Sequence, residues 1–245
     1  MILTVLDSGS KANGYILQND TEAIIIEAGV PIKEVKKALG FNIRKVVGCL
    51  VSHSHADHAG RAREYQDSNI NICTSMDTAI EADIKTGRLL QVFRHGDTFA
   101  LGGFTVKAVE VRHDVACFAF LIRHPDIGLM LFATDTFYLP YTFEGLTNIM
   151  IEANYSREIV RRNIQGGYIH PSFEKRIIQS HLEITDTIKA LQANDLTGVN
   201  NIVLLHLSDS NSDADDFRER VQRITGKTVY VAEKGLSIEV NKTPF

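Results

Sequence analysis

The chain has 245 residues, of which 44% are hydrophobic and 23% are charged. This balance is typical of a folded globular protein and excludes the disordered, fibrous and membrane-embedded classes. The formal net charge of -4 excludes a general attraction for polyanions, so nucleic-acid binding would need a local basic patch or bound metal.

Strand signals dominate the first quarter of the chain. Apolar runs at residues 2–6, 15–17 and 23–26, separated by turn residues, predict a meander of strands. The amphipathic stretch from Pro31 to Gly40 predicts a helix. The apolar, β-branched run at 45–52 predicts a buried strand that leads into the segment SHSHADHAG.

The remaining sequence alternates helix and strand signals. Helices are predicted after Asp57, near 76–84, from Ser156, near 184–191 and near 213–224. Strands are predicted near 70–73, throughout 97–135, and at 149–152, 202–206, 229–231 and 236–240. Residues 165–173 read as an irregular, mobile insertion. The pattern predicts two mixed sheets packed together with helices outside, and no linker divides the predicted single domain of 1–245.

The three cysteines, Cys49, Cys73 and Cys117, form no paired spacing, which predicts reduced core thiols. The N-terminus carries no signal-peptide pattern, and no apolar run reaches the roughly 18 residues of a membrane span. We therefore expect a cytoplasmic protein without a membrane partner. The oligomeric state is left open.

The strongest functional signal is the segment 53–58, HSHADH, which places four metal-ligand side chains in six positions after a buried strand. Alternate residues leaving a strand point the same way, so His53 and His55 can bind one cation. Asp57 and His58, at the start of the next helix, can turn toward a second. Asp57 is also assigned to catalysis.

Four ligands cannot complete two sites, and further candidates stand at other predicted strand ends. His113, Asp135 and His206 each end an apolar run. A packed sheet would bring these ends to the same edge, where Asp135 could bridge two cations. Taken singly, each has a hydrogen-bonded edge residue as its alternative interpretation.

With these residues in place, the whole chain resembles the metallo-β-lactamase superfamily. The resemblance implies a four-layer αββα sandwich of two mixed β-sheets, an α/β (α+β) fold with the metals at one edge between the sheets. It also implies a ligand set: His53, His55 and His113 on one metal, Asp57, His58 and His206 on the other, and Asp135 bridging.

Shorter motifs resemble the YycJ (WalJ/VicX) group, which is related to nucleic-acid phosphodiesterases. They are Ser8-Gly9-Ser10 with Asn13, the segment 152–155, His181-Leu182, and His206-Leu207-Ser208 with Asn211. Two positions depart from the usual pattern. Glu27 stands where the superfamily usually has Asp, and Ser180-His181-Leu182-Glu183 stands where the group usually has Gly-His-Leu-Ser.

The ligand types predict two divalent metal ions. Imidazole and carboxylate ligands suit zinc, with manganese or iron as alternatives. A bound cation lowers the pKa of water to about 7, and a second stabilises charge on oxygen during in-line displacement. His181 is the predicted catalytic donor to a substrate phosphate, with a helix cap as the alternative role.

Substrate binding is assigned to two sets of residues. Ser8, Asn13 and Asn154 belong to the shorter motifs near the predicted metal edge. Arg157, Arg161 and Arg162, with Lys175 and Arg176, form a basic cluster that could follow a phosphate backbone. The alternative for this cluster is a solvated helix face.

Together these features predict a dinuclear metal-dependent hydrolase, a phosphodiesterase or exonuclease in which metal-activated hydroxide attacks nucleic acid. Single-stranded or end-processed DNA or RNA is the expected substrate. The alternatives are a small-molecule hydrolase of the same fold (lactonase, thioesterase or cyclic phosphodiesterase) and a non-catalytic, metal-stabilised regulatory protein.

Overall fold

Two seven-stranded β-sheets form the centre of the computed structural model, which describes residues 1–243. The strands are, in chain order, β1 (Ile2–Asp7), β2 (Gly14–Gln18), β3 (Ala23–Ile26), β4 (Val46–Leu50), β5 (Ile72–Ser75), β6 (Leu90–Phe93), β7 (Thr98–Leu101), β8 (Phe104–Val111), β9 (Cys117–His124), β10 (Gly128–Ala133), β11 (Asn148–Glu152), β12 (Asn201–Leu205), β13 (Thr228–Val231) and β14 (Ser237–Glu239). The first sheet has the order β14-β1-β2-β3-β4-β5-β6, and the second has the order β13-β12-β11-β10-β9-β8-β7.

Helices lie between and after these strands. They are α1 (Ile32–Ala38), α2 (Ala56–Ala59), α3 (Ala62–Asp67), α4 (Met76–Glu81), α5 (Arg157–Gln165), α6 (Ser172–Ser180), α7 (Ile184–Gln192) and α8 (Ala214–Thr225). None of the helices among residues 1–243 combines the length and the apolar character needed to cross a membrane.

Both sheets change from antiparallel to parallel pairing. In the first sheet β1, β2 and β3 are antiparallel, whereas β3, β4, β5 and β6 are parallel neighbours. In the second sheet β7 to β10 are antiparallel, whereas β10 to β13 are parallel. Strands separated by two antiparallel pairings point in the same direction, so β1 has the direction of β3, and β8 has the direction of β10. Many strands of each sheet therefore end at the same edge.

Aromatic rings fill the space between the sheets. Phe120 and Phe132 of the second sheet are fully buried, and the Phe132 ring meets the Tyr15 ring of the first sheet edge-on, with centroids 5.6 Å apart. Along β8, Phe104, Val106 and Ala108 face this core while the residues between them are exposed, which is the alternation expected of a strand with one buried face.

The outer faces of both sheets are covered by helices. Val35 of α1 and Tyr65 of α3 belong to an apolar cluster on the first sheet. Ile188 of α7 and Phe217 of α8 belong to another on the second sheet. The layers are helix, sheet, sheet and helix, which confirms the predicted fold class.

Two elements differ from the sequence-based expectation. Strand β6 was not predicted, because its four residues, LQVF, are too few to show a period. Helix α6 was not predicted, because its sequence is largely polar and follows Pro171. The insertion predicted at 165–173 is instead a loop at 166–171 between α5 and α6.

The cysteines are free and buried, as predicted. Burial raises the pKa of the Cys73 thiol to about 12, so this residue remains a protonated, apolar filler of the core between the sheets.

We predict that Phe132→Ala lowers the free energy of unfolding by about 3–5 kcal/mol, because it opens a cavity between the sheets. Chemical denaturation followed by circular dichroism measures the change. Phe41→Ala is the matched control, since Phe41 is 74% exposed, and its effect should stay within about 0.5 kcal/mol. Equal losses in the two variants would contradict this account of the core.

Candidate metal centre

Ionisable residues follow the parallel strands of both sheets at the edge where these strands end. Glu27 follows β3, His53 lies beyond β4, Asp135 lies beyond β10, Glu152 is the last residue of β11, and His206 follows β12. His113 lies just beyond β8. The topology alone therefore brings residues from both sheets to one place, as inferred for strand ends from the sequence.

All seven residues predicted as metal ligands lie in this cluster. Four groups have ligand atoms within 4.8 Å of one another: His53 with His55 and His113; His53 with His58 and Asp135; Asp57 with His58 and His206; and Asp135 with Glu152, His181 and His206. The groups share members, and Asp135 occurs in two of them.

The first triad consists of His53, His55 and His113. The His53 ring centroid lies 4.7 Å from that of His55 and 4.9 Å from that of His113. The Nδ1 atom of His113 lies 3.0 Å from the Ser180 carbonyl oxygen, which orients this ring and leaves Nε2 facing the cluster.

The second triad consists of Asp57, His58 and His206. The Oδ2 atom of Asp57 lies 3.3 Å from Nε2 of His58 and 3.5 Å from Nε2 of His206. The Oδ2 atom of Asp135 approaches Nε2 of His58 to 3.1 Å, and its Oδ1 atom lies 3.7 Å from Nδ1 of His206. Asp135 thus lies alongside the second triad while sharing a ligand group with His53.

The fit of the cluster to a cation rests on unpaired ring nitrogens. Within residues 1–243, the buried Nε2 atoms of His53 and His206 have no hydrogen-bond partner. Their Nδ1 atoms are engaged, that of His53 by the Ser52 hydroxyl at 2.8 Å and that of His206 by Glu152 Oε1 at 3.3 Å. In the neutral His53 ring the buried Nε2 lone pair has no donor, which is costly unless it binds something, and coordination to a cation would satisfy it. His206 Nε2 lies 3.5 Å from Asp57 Oδ2, and a cation there would take the place of a proton.

Burial and neighbouring charges shift the pKa values of two clustered histidines in opposite directions. Burial and the neighbouring histidine His58 lower the pKa of His53, which favours the neutral, metal-binding form. Burial opposes protonation of His206, yet Asp135, Asp57 and Glu152 outweigh it and raise the pKa of His206 to about 10. The carboxylates therefore attract positive charge, which protons or divalent cations can supply.

Three cluster residues adopt left-handed backbone conformations. Glu27, Asp135 and His206 have φ values of 68°, 49° and 54° directly after strands or one residue later. Such conformations cost about 1–3 kcal/mol each in non-glycine residues and persist only where surrounding contacts impose them. Here they turn side chains toward the edge at which the strands end.

The ligand loop 53–58 is held by backbone contacts from two other loops. The Asn13 amide donates to the Asp57 carbonyl at 2.7 Å, and the Ala28 amide donates to the His58 carbonyl at 2.7 Å. At Gly29 an added Cβ would overlap the Asp57 carbonyl, so only glycine permits this approach.

Glu27, the first departure from the superfamily pattern, still supports a ligand. Its Oε1 atom lies 3.5 Å from Nδ1 of His58, and its Oε2 atom accepts a hydrogen bond from the Ser52 amide at 3.3 Å. The longer side chain therefore reaches Nδ1 of His58, on the side of the ring opposite to the Nε2 atom that faces Asp135.

Glu152 organises the cluster, a role that its sequence motif did not indicate. Its Oε1 atom lies 2.8 Å from Nδ1 of His181, and its Oε2 atom accepts hydrogen bonds from the Thr136 and Leu182 amides at 3.1 Å. Its Oε1 atom also lies 3.3 Å from Nδ1 of His206. One buried carboxylate thus orients two histidines.

The second sequence departure leaves His181 at the site. Glu183, where the group usually has Ser, caps α7 by accepting a hydrogen bond from the Thr185 amide at 2.7 Å. His181 is not the N-cap of α7 but the C-cap residue of α6, where its amide donates to the Ile177 carbonyl at 3.1 Å. Its side chain stays 23% exposed beside the cluster.

Asp114 is a further acidic residue that the sequence analysis missed. Its Oδ1 atom lies 3.0 Å from Nε2 of His113 and 3.3 Å from Nε2 of His55. Its position next to a predicted ligand at a strand end was the available signal.

The motif residues predicted to bind substrate contact the predicted metal ligands directly. Asn13 is fully buried, and its Nδ2 atom lies 3.2 Å from Asp57 Oδ2 and 2.9 Å from His58 Nε2. Asn154 is also buried and donates to the His206 carbonyl at 2.7 Å. Ser8 Oγ accepts a hydrogen bond from the His206 amide at 3.0 Å. The structure therefore gives these residues contacts that support the ligands.

The predicted basic cluster is divided between helices. Arg157 and Arg161 line a groove with Lys189 and Arg220, and Arg157 pairs with Asp186 at 3.0 Å. Arg162 lies elsewhere on α5, and Lys175 and Arg176 lie on α6. Contact of these cations with a phosphate backbone stays a prediction.

Comparison with known proteins agrees with this geometry. Residues 8–73 match the family described as the metallo-beta-lactamase superfamily. The exodeoxyribonuclease YycJ of Bacillus anthracis is 27% identical over 251 residues, covering 96% of this chain and 90% of its own length. The exodeoxyribonuclease WalJ of Streptococcus pneumoniae is 27% identical over 227 residues, covering 85% of this chain and 82% of its own length.

A solved structure shows the same fold. The metallo-beta-lactamase fold protein YhfI from Bacillus subtilis has a TM-score of 0.72 and 16% identity, covering 97% of this chain and 99% of its own. These matches confirm the resemblance to the metallo-β-lactamase superfamily and to the YycJ group. The fold implies use of a divalent metal, and the cluster of histidines and carboxylates offers the ligands.

We predict that Glu27→Gln weakens zinc binding about 10- to 100-fold, because the amide keeps the size of the side chain but loses the charge that supports His58. Competition with a chromogenic chelator measures the affinity. Glu22→Gln is the control, since Glu22 contacts His124 at 3.1 Å near the opposite ends of the strands. Unchanged affinity in Glu27→Gln would mean that Glu27 does not tune the ligand.

Proposed function

We propose that this chain is a dinuclear metal-dependent phosphodiesterase that hydrolyses DNA. The observation that carries the proposal is the pairing of two ligand triads, with Asp135 beside the second triad and sharing a ligand group with His53 of the first. The relatives named exodeoxyribonucleases, which match along most of their length, support DNA as the substrate.

In this proposal His53, His55 and His113 would hold one ion, and Asp57, His58 and His206 would hold the other. Asp135 would serve both ligand sets. A tetrahedral zinc ion accepts four ligands, so one ion would leave several of these groups unused in a buried site. The mixed nitrogen and oxygen donors suit zinc, and manganese and iron are the competing choices.

When bound, two such ions supply an activated water at neutral pH and neutralise charge on the phosphoryl oxygens. The chain itself supplies the means to protonate the leaving oxygen. The contact between Glu152 and Nδ1 of His181 leaves Nε2 of His181 available to hold a proton. The His181 ring centroid lies 5.3 Å from that of His206 and 6.2 Å from that of His113, so this proton lies near both triads.

Glu152 acts in this scheme as a positioning residue. Its second oxygen is fixed by two backbone amides, so the carboxylate cannot rotate without breaking them. The tautomer and direction of His181 follow from this anchoring.

The proposal is tested with purified protein loaded separately with zinc, manganese and iron. The substrates are DNA and RNA labelled at either end, a small chromogenic phosphodiester, a lactone and a β-lactam. Release of nucleotides from DNA supports the proposal. Turnover of the lactone or β-lactam alone would favour a small-molecule hydrolase, and no turnover with any metal would favour a regulatory protein.

We predict that the loaded protein holds two metal ions per chain and that Asp57→Asn lowers both this number and turnover. The loss of kcat/KM on DNA should exceed about 100-fold, since even residues behind metal ligands cost about 10- to 100-fold. Elemental analysis and a nuclease assay measure the two effects. Asp67→Asn, an exposed partner of Lys85, is the control. Near-normal turnover of Asp57→Asn under limiting metal would refute the two-metal scheme.

We predict that His181→Ala lowers kcat on DNA by about 100-fold or more, because the leaving alkoxide needs a proton. A nitrophenyl phosphodiester has a leaving group that needs none, so its loss should be much smaller. Steady-state kinetics on the two substrates separates these effects, with His170→Ala, an exposed histidine, as the control. Equal losses on both substrates would assign His181 to metal binding or folding instead.

A further inference from the structure

A cleft of about 490 Å³ opens at the same edge of the sandwich as the metal centre. It is lined by His95, Glu110, Arg112, Tyr138, Pro140 and Tyr141, among others. His95 follows β6, which runs parallel to β4, so it emerges at the edge where β4 leads to His53. Glu110 and Arg112 lie at the end of β8, before His113.

Hydrogen bonds join the cleft to the ligand-bearing segments. The Arg112 carbonyl accepts from the Thr136 hydroxyl at 2.9 Å and from the Phe137 amide at 3.1 Å. Arg112 is next to His113 in sequence, and Thr136 is next to Asp135. The cleft therefore lies within a few residues of His113 in the first triad and of Asp135, and these hydrogen bonds hold it in fixed relation to both.

Two tyrosines line the cleft: the Tyr138 ring is exposed, and the Tyr141 ring is partly buried against the apolar cluster of the second sheet. Tyr138 is 59% exposed and the preceding Phe137 is 41% exposed, although large aromatic side chains are favoured inside proteins. The Tyr141 ring lies 6.2 Å from the His95 ring, with their planes 29° apart. Exposed rings along a cleft provide surfaces on which unpaired bases stack.

The cleft also presents an uncompensated cation. Across the part of the chain that the structure describes, no carboxylate lies within 4.0 Å of the Arg112 guanidinium. The single acidic residue named in the lining, Glu110, can accept hydrogen bonds from amino groups of a base. The volume falls within the usual range for small-molecule sites.

The groove of the basic cluster has a different character. Its cations are largely paired with acidic neighbours: Arg157 and Lys189 with Asp186, and Arg220 with Asp216. Within the described part of the chain, no aromatic side chain lines this groove. A phosphate there would compete with existing ion pairs, so the aromatic cleft is the better candidate for binding a strand.

We propose that this cleft is a nucleotide subsite, which stacks an unpaired base on Tyr138 and Tyr141 and pairs Arg112 with a flanking phosphate. The proposal rests on the proposed function, because it takes the bound strand to be the substrate of the metal centre. A base inside a duplex presents no free face, so the subsite selects single-stranded DNA or a frayed end.

Tyr138→Ala tests the subsite in the metal-loaded protein. Tyr138 forms two hydrogen bonds with the Thr136 hydroxyl, both through its backbone, so removing the ring leaves the loop anchored. The substrates are a single-stranded oligonucleotide and the same strand with the terminal bases at both ends removed. The wild-type protein should prefer the intact strand about tenfold or more in kcat/KM.

In Tyr138→Ala this preference should fall to nearly none, while hydrolysis of a small chromogenic phosphodiester stays unchanged. Tyr138→Phe keeps the ring and should keep the preference. Tyr168→Ala, with a tyrosine that is 84% exposed on the loop between α5 and α6, is the matched control. An unaltered preference in Tyr138→Ala overturns the proposal, and so does an equal loss on all three substrates.

A binding assay separates this proposal from the proposed function. Asp57→Asn protein is titrated with strands that carry fluorescent 2-aminopurine near the ends, and quenching reports stacking. If introducing Tyr138→Ala into this variant abolishes the quenching, the result supports the subsite. A wild-type protein that hydrolyses no DNA would then contradict only the nuclease assignment. Hydrolysis of DNA without Tyr138-dependent quenching overturns the subsite and leaves the nuclease assignment intact.

Discussion

Carboxylates withdrawn from water at one edge of the sandwich are the constraint on which the rest of the structure depends. Glu27 and Glu152 are fully buried and Asp135 is 2% exposed. Buried charges of one sign are unstable unless positive charge lies among them. The interleaved histidines provide places for protons or metal ions, and the strained backbone at Glu27, Asp135 and His206 is retained because it brings both partners together.

The topology explains why ligands from distant segments meet there. Each sheet has a parallel half, and the parallel strands of both sheets end at the same edge. Residues from the first sheet, such as His58, therefore contact residues from the second, such as Asp135. Ions bound between them would join the two sheets at this edge, so metal affinity would also stabilise the packing of one sheet on the other.

Features of the structure that depend on local sequence patterns could be predicted from the sequence. Apolar runs ending in His or Asp located residues that cluster at one edge of the sandwich, and the HxHxDH segment placed four of them after a strand and at the start of a helix. The supporting contacts were not predictable in the same way. Glu152 meets His181 across 29 residues, and Asn13 meets His58 across 45, so only the tertiary arrangement decides these hydrogen bonds. The contacts of Asn13 and Asn154 with the cluster therefore have no local signal in the sequence, and binding of substrate by these two residues stays a prediction.

The two proposals constrain each other through this same edge. The aromatic cleft adjoins His113 and therefore the first triad, whereas the Ser8 loop and the start of α5 lie on the side of His206. A strand with one base in the cleft would thus lead its next phosphate across the triads toward His206. The His181 ring lies 6.2 Å from that of His113 and 5.3 Å from that of His206, so under the proposed function it could protonate the oxygen leaving that phosphate. Because the cleft, the two triads and His181 all extend from strand ends or adjoining turns, the two sheets hold them in fixed relation to one another.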